Sequence, residues 1–221
     1  MKKALSAFVL SALVLSLSAL AAGQAAAPNL DDQLFDAVQK GDAAAVGQLL
    51  DQGANANAQG STGETPLIAA CAMGHPDIAK LLLEKGAKID TKDNRGDTAL
   101  HYAVMTVNIE EAKLLLDHGA NIEAKEDQQG LTPLMYGIVS RSVDLVNLLL
   151  DHGANVEARE KSGFTALMAA SGGGLTDIVK ALLDHGANVN DKSNDGTTAL
   201  ILAVSQKHPD VEALLRARGA Q

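Results

Sequence analysis

Three histidines stand at one repeated spacing, in Asp117-His118-Gly119, Asp151-His152-Gly153 and Asp184-His185-Gly186. A column of His beside Asp is what a metal ladder would need. Zinc, however, holds its nitrogen ligands at about 2 Å, whereas packed helices stand roughly 8–10 Å apart. Histidines on successive helices are therefore too far apart to share an ion, and each is better placed as a cap on a helix C-terminus, where an imidazole meets the negative end of the dipole. Gly172-Gly173-Gly174 has the look of a phosphate loop, but it follows a helical stretch rather than a strand and has no Lys partner. No Gly-x-Ser-x-Gly, His-Glu-x-x-His or Walker sequence occurs, and the many acids are spread without a convergent pair. The expectation is a chain that is not an enzyme and takes no metal or cofactor; an enzyme would need a pocket of perturbed titratable groups. Cys71 is the one cysteine. No intramolecular disulfide is possible, and the thiol reads as a buried small hydrophobe, with a redox-active group as the alternative.

The elements that hold these residues must be built with few large side chains. Apolar residues make up 47% of the 221, yet Trp is absent and there are only two Tyr and three Phe. A core of Ala, Leu, Ile and Val suits thin repeated layers. Formal charge is −9, or −11 once Lys2 and Lys3 leave with the N-terminal leader discussed next. That field repels nucleic acid and anionic membranes and favours a soluble protein, with a basic partner as one possibility.

Met1-Lys2-Lys3 followed by an apolar run from Ala4 to Ala22 and the small-x-small signal Ala19-Leu20-Ala21 reads as a cleaved export signal. The expected division is a signal peptide over 1–22, a short linker over 23–29 and one folded region over 30–221. An uncleaved anchor is the alternative. No later segment could span a membrane, so the mature protein is expected in the periplasm, or secreted, away from the membrane and as a monomer.

Self-similarity organises the rest. A Gly-Ala pair begins at Gly53, Gly86, Gly119, Gly153, Gly186 and Gly219, at intervals of 33, 33, 34, 33 and 33 residues, each preceded by a Leu cluster. After the first five, a second Gly opens a Thr-x-Leu motif: Gly63-Glu64-Thr65-Pro66-Leu67, Gly96-Asp97-Thr98-Ala99-Leu100, Gly130-Leu131-Thr132-Pro133-Leu134, Gly163-Phe164-Thr165-Ala166-Leu167 and Gly196-Thr197-Thr198-Ala199-Leu200. Thr predicts a helix N-cap, and Pro66 and Pro133 follow where a missing N–H costs nothing. A short apolar helix then ends at Gly74 or Gly174. A second helix carries the Leu cluster, with Asp77, Asp144, Asp177 and Asp210 in its first turn. One such unit cannot bury its own apolar face and must stack on neighbours.

This pattern resembles the ankyrin repeat over Leu30 to Gln221. The resemblance implies an all-α solenoid of helix-turn-helix units with β-turn fingers, in about six repeats: 30–60, 61–93, 94–127, 128–160, 161–193 and 194–221, the first and last acting as caps. The His of the Thr-Pro-Leu-His motif survives only as His101, which the resemblance makes a hydrogen-bonder between adjacent turns. Val107 and Arg141 replace the Gly that closes the first helix, so those corners are expected to be reshaped; the 34-residue interval puts an extra residue in the finger Glu126-Asp127-Gln128-Gln129. Family members bind other proteins through fingers and the exposed side of the first helices. In that register Met105, Leu131, Val139 and Phe164 form a central apolar cluster, with Arg95, Lys125, Arg159 and Lys161 on its rim, an arrangement suited to a partner protein's hot spot; scattered surface apolars are the alternative. Phe164 is expected to be mostly exposed. The implied job is a protein-binding scaffold, and secreted bacterial relatives of this kind act as toxin-neutralising immunity proteins or as helpers of oxidative-stress enzymes.

Overall fold

The computed structural model describes residues 29–221; the expected signal peptide lies outside them. Among the described residues there are twelve helices and no strand, only an isolated bridge between Arg159 and Thr165. The helices come in six antiparallel pairs: α1 (Leu30–Gln39) with α2 (Ala43–Asp51), α3 (Pro66–Met73) with α4 (Pro76–Glu84), α5 (Ala99–Met105) with α6 (Ile109–Asp117), α7 (Pro133–Val139) with α8 (Val143–Asp151), α9 (Ala166–Gly172) with α10 (Thr176–Asp184), and α11 (Ala199–Ser205) with α12 (Pro209–Ala217). Each pair packs within itself and on the pairs either side, first helix on first and second on second.

Local chemistry sets the helix starts. Thr65, Thr165 and Thr198 accept the backbone N–H of Ile68, Met168 and Ile201 at 3.2, 3.4 and 3.2 Å. At α5 the ring of His101 returns the favour: its Nδ1 accepts the Thr98 backbone N–H at 3.1 Å and meets the Thr98 hydroxyl at 2.9 Å. Thr132 departs from the pattern, its hydroxyl buried without a partner. Asp42 and Ser142 cap α2 and α8 through Ala45 and Leu145.

The corners between paired helices are not reshaped. Gly41, Gly74 and Gly174 take φ of 70°, 76° and 66°, and Val107, Arg141 and Lys207 take 60°, 57° and 61° at the equivalent places. The sixth backbone N–H closing onto the first helix keeps the geometry whatever the side chain: Asn108 N–H donates to Ala103 O, Ser142 to Gly137 O and His208 to Ala203 O. Packing of the whole layer thus overrides the local preference for glycine.

The core runs the length of the stack, from Leu34 and Val46 through Leu82, Leu115, Leu149 and Leu182 to Leu215. Cys71 is wholly buried in it, as its apolar surroundings predict, and burial pushes its thiol well above the ordinary range. The last pair leaves Ile201 and Val204 exposed, whereas the next pair covers the same positions in the earlier repeats, Met168 and Ser171 among them.

Candidate partner-binding surface

Five fingers project from the N-terminal ends of α3, α5, α7, α9 and α11, and each is closed by a carboxylate of its own. Asp93 accepts the N–H groups of Arg95 and Asp97 at 2.8 and 2.9 Å. Glu126 accepts those of Gln128, Gln129 and Leu131, and Glu160 those of Ser162 and Phe164. In the first and last fingers the carboxylate comes from elsewhere, Glu64 and Asp195. Burial works against the charge of Glu126, but the surrounding N–H groups outweigh it and hold its carboxyl below the ordinary range.

The fingers also join one another. Asn94 N–H donates to Thr62 O, Asp127 to Arg95 O, Lys161 to Gln129 O and Asn194 to Ser162 O, at 2.8–3.0 Å. This approach requires glycine: a Cβ on Gly96 would stand 2.7 Å from the Asp127 nitrogen, at a φ of +84°. At Gly130, beside the finger with the extra residue, the space is wider and the nearest atom would be 3.5 Å away.

Three of the four expected rim cations, Lys125, Arg159 and Lys161, come together here beside Lys92, with donors already engaged. Lys92 Nζ donates to Lys125 O, Lys125 Nζ to Arg159 O and Arg159 Nη1 to Lys192 O, at 2.6, 2.8 and 2.8 Å, a chain running finger to finger. Arg159 also pairs with Asp191, and Lys161 Nζ reaches the carbonyls of Asp127 and Gln128. Lys92, Lys125, Arg159 and Lys161 share a cleft of about 380 Å³ with Glu126, Asp127 and Glu160. They bind the fingers into one plate, a structural duty that sequence spacing alone did not reveal.

Arg95 sits apart from them. Its guanidinium lies 5.6 Å from the centre of the Tyr102 ring and donates to the Tyr102 hydroxyl at 2.8 Å, with Asp97 at 3.3 Å and Asp93 at 3.7 Å. Tyr102 donates in turn to Asp93 at 2.8 Å, and Tyr136 to the buried Asp97 at 3.0 Å. Burial raises the carboxyl of Asp97 above its ordinary range, against the pull of Tyr136, His101 and Arg95. Burial likewise lowers the imidazole of His101, which packs edge-on against Tyr136 at 5.2 Å. Its Nδ1 thus serves its own turn, whereas its buried Nε2 has no hydrogen-bond partner, so the expected hydrogen bond between adjacent turns is corrected to an edge-on contact with Tyr136 of the next repeat. Ser61, Thr62, Asp93, Asn94, Arg95 and Tyr102 line one groove.

Of the four apolar anchors, Val139 is 70% exposed, while Met105, Leu131 and Phe164 are part-buried. The expectation of a mostly exposed Phe164 is corrected: its ring packs against the core beneath the finger. Tyr102 is the residue sequence reasoning passed over. The signal was present, because the chain's two tyrosines, Tyr102 and Tyr136, occupy the same register position in adjacent repeats.

The recurring histidines lie on the opposite, second-helix side. Nδ1 of His118, His152 and His185 donates to the carbonyl four residues earlier at 2.8–2.9 Å, capping the helix C-terminus. Nε2 of His152 and His185 faces Asp117 and Asp151 of the preceding repeat at 3.7 and 3.5 Å. Lys85 with Asp51 and Arg218 with Asp184 do the same. Such exposed pairs are each worth at most about 1 kcal/mol.

Residues 34–126, 90–160 and 155–221 match a family model described as ankyrin repeats in three copies. No curated protein matches the chain. Among solved structures, the ankyrin repeat domain of Bcl-3, a member of the IkappaB protein family, is 30% identical with a TM-score of 0.73, covering 83% of this chain and 97% of that one. A chain from the complex of the Bdellovibrio bacteriovorus predatory endopeptidase Bd0816 with the immunity protein Bd3460 is 30% identical with a TM-score of 0.77, covering 84% and 97%.

Proposed function

The chain belongs to the ankyrin-repeat family, and from that premise we propose that it is a non-catalytic scaffold of the periplasm or the extracellular space that binds a partner protein through its fingers and concave helix face. The observation that carries this reading is the hydrogen-bonded plate of fingers. Backbone rungs and the Lys92-Lys125-Arg159 chain hold it rigid, so little ordering entropy is lost when a partner docks. The contact centre is the Arg95–Tyr102 groove; Leu131 and the edge of Phe164 extend it along the fingers of the next two repeats, and Met105 and Val139 along the far ends of α5 and α7. An aromatic ring under an arginine is the composition of an interface hot spot. Lys125, Arg159 and Lys161, in the cleft of the neighbouring fingers, form a positioned cationic edge to one side of that centre. The protein acts as a monomer, is exported by its Lys2-Lys3 leader, and with a formal charge of −9 avoids nucleic acid.

The likeness to a chain from an endopeptidase–immunity protein complex supports a narrower form of this reading, in which the partner is a hydrolytic enzyme or toxin held inactive. Help to an oxidative-stress enzyme is the other form.

Tagged mature protein, used to capture partners from a periplasmic extract, tests the reading. Tyr102→Ala and Arg95→Ala should each weaken the captured complex by roughly 1–4 kcal/mol. If the captured enzyme loses activity on binding, the inhibitory form holds. Equal affinity in both variants would place the contact away from the groove.

A further inference from the structure

One core position breaks its own pattern. The third residue of α4, α8, α10 and α12 is Ile78, Leu145, Ile178 and Val211, each buried and apolar. In α6 that residue is Glu111, and it is just as buried, at 1% exposure. Neither carboxylate oxygen has a hydrogen-bond partner within the protein. Burial raises its pKa to about 7; the Asn108 side chain and the His75 backbone pull it down without closing a bond of normal geometry, while Glu110 pushes it up. An uncompensated acid costs stability where an apolar residue would add it, and a local rule broken without a gain to the fold points to a function.

Glu111 lines a cleft of about 290 Å³ between the start of α4 and the turn into α6, together with Gly74, Pro76, Val107, Asn108, Ile109 and Glu110. Val107 and Ile109 are among the large apolar side chains left exposed. This elbow lies at the far end of the first helices from the fingers. A matching cleft occurs two repeats on, lined by Arg141, Val143 and Gly174 to Ile178, with Ile178 where Glu111 stands. The groove is thus a general feature of these elbows, and the carboxylate beneath it is particular to one.

We propose that the Glu111 cleft receives the end of a lysine side chain from a partner protein, its methylenes on Pro76, Val107 and Ile109 and its ammonium on Glu111, with Glu110 adding to the attraction. An ammonium brings three donors to two oxygens that have none, and a slender aliphatic stem suits an apolar-walled cleft. Pairing offsets part of the acid's desolvation cost, which an uncharged chain of equal length cannot do, and this makes the site selective for a cation. The inference concerns a surface separate from the finger groove and stands whether or not that groove is the main interface.

The test is a titration of isotope-labelled protein, followed by amide shifts, with Nα-acetyl-lysine amide and with the uncharged Nα-acetyl-norleucine amide at equal ionic strength. The lysine probe should move the amides of Asp77 and of Val107 to Glu111 and leave Thr176 to Ile178 still, and the norleucine probe should move neither set. Glu111→Leu should weaken the lysine response by about tenfold or more, and Glu111→Gln, which keeps the shape and removes the charge, should do the same. Equal responses to the two probes, an equal response at the Ile178 elbow, or an unchanged response in the variants would overturn the proposal.

Discussion

At Glu111 the coupling of protonation to folding runs opposite to that of a salt-bridged acid. Its pKa rises from 4.5 to about 7 on folding. Between those values the folded chain holds more protons than the unfolded one, so stability is full below about 4.5, falls as pH rises through the window and levels off above about 7. A shift of that size corresponds to a penalty of up to roughly 3 kcal/mol at neutral pH. Glu111→Leu, which restores the residue type of the other repeats, should therefore raise the unfolding free energy by about 1–3 kcal/mol at pH 8, with a much smaller gain at pH 5. Urea unfolding at the two pH values measures it, and an equal gain at both would mean that packing rather than charge decides the effect. Cys71 belongs to the same environment: buried and made less acidic by desolvation and by Glu111, its thiol should react with a thiol reagent only after denaturant is added. Phe164→Ala, given the part-buried ring, should cost stability as well as affinity, and the stability loss should exceed the roughly 0.5 kcal/mol typical of a bare surface site.

At the scale of the element, what could be read in advance and what could not divide along physical lines. Helix starts were legible because a Thr N-cap acts within four residues, as Thr65, Thr165 and Thr198 do. The recurrence of the finger glycines was legible, and its reason shows at Gly63, Gly96 and Gly163, where a positive φ coincides with a neighbouring backbone nitrogen less than 3 Å from where a Cβ would stand. Finger closure was not, since a carboxylate can reach the same N–H groups from different positions, Glu126 in one finger and Asp195 in another. The duty of Lys125 and Arg159 was likewise hidden, because their partners lie 33–34 residues away. Nor did sequence reveal that a non-glycine elbow would hold its left-handed turn. Arg141 and Val107 pay about 1–2 kcal/mol for that conformation, whereas glycine would add roughly 0.5–1 kcal/mol of unfolded-state entropy. Arg141→Gly should accordingly stabilise the protein by up to about 1 kcal/mol, read as a rise in the urea midpoint; a fall would mean that the Arg141 side chain makes contacts worth more than the strain.

At the scale of the whole molecule, stability is a sum over units and the interfaces between them, because each helix pair touches only its neighbours. The same deletion should then have unequal consequences along the stack. Leu149 in α8 and Leu215 in α12 are both wholly buried, so their transfer free energies are alike. They differ in what surrounds them. Leu149 lies in a pair flanked by α6 on one side and α10 on the other, while α12 packs against α10 and its own partner α11. Ile201 and Val204 stay exposed on the outer face of that last pair. Leu149→Ala opens a cavity that no escape of the end can relieve, and it should lower global stability by roughly 2–5 kcal/mol. With Leu215→Ala the last pair can detach alone, which limits the loss to the intrinsic stability of that unit and its one interface. Hydrogen exchange separates the two cases. The central variant should speed exchange throughout the core, whereas the terminal variant should speed it in α11 and α12 and leave α3 to α8 close to the parent. Uniform acceleration by Leu215→Ala would show that all six pairs unfold as one, and that the interfaces are stronger than the pairs they join.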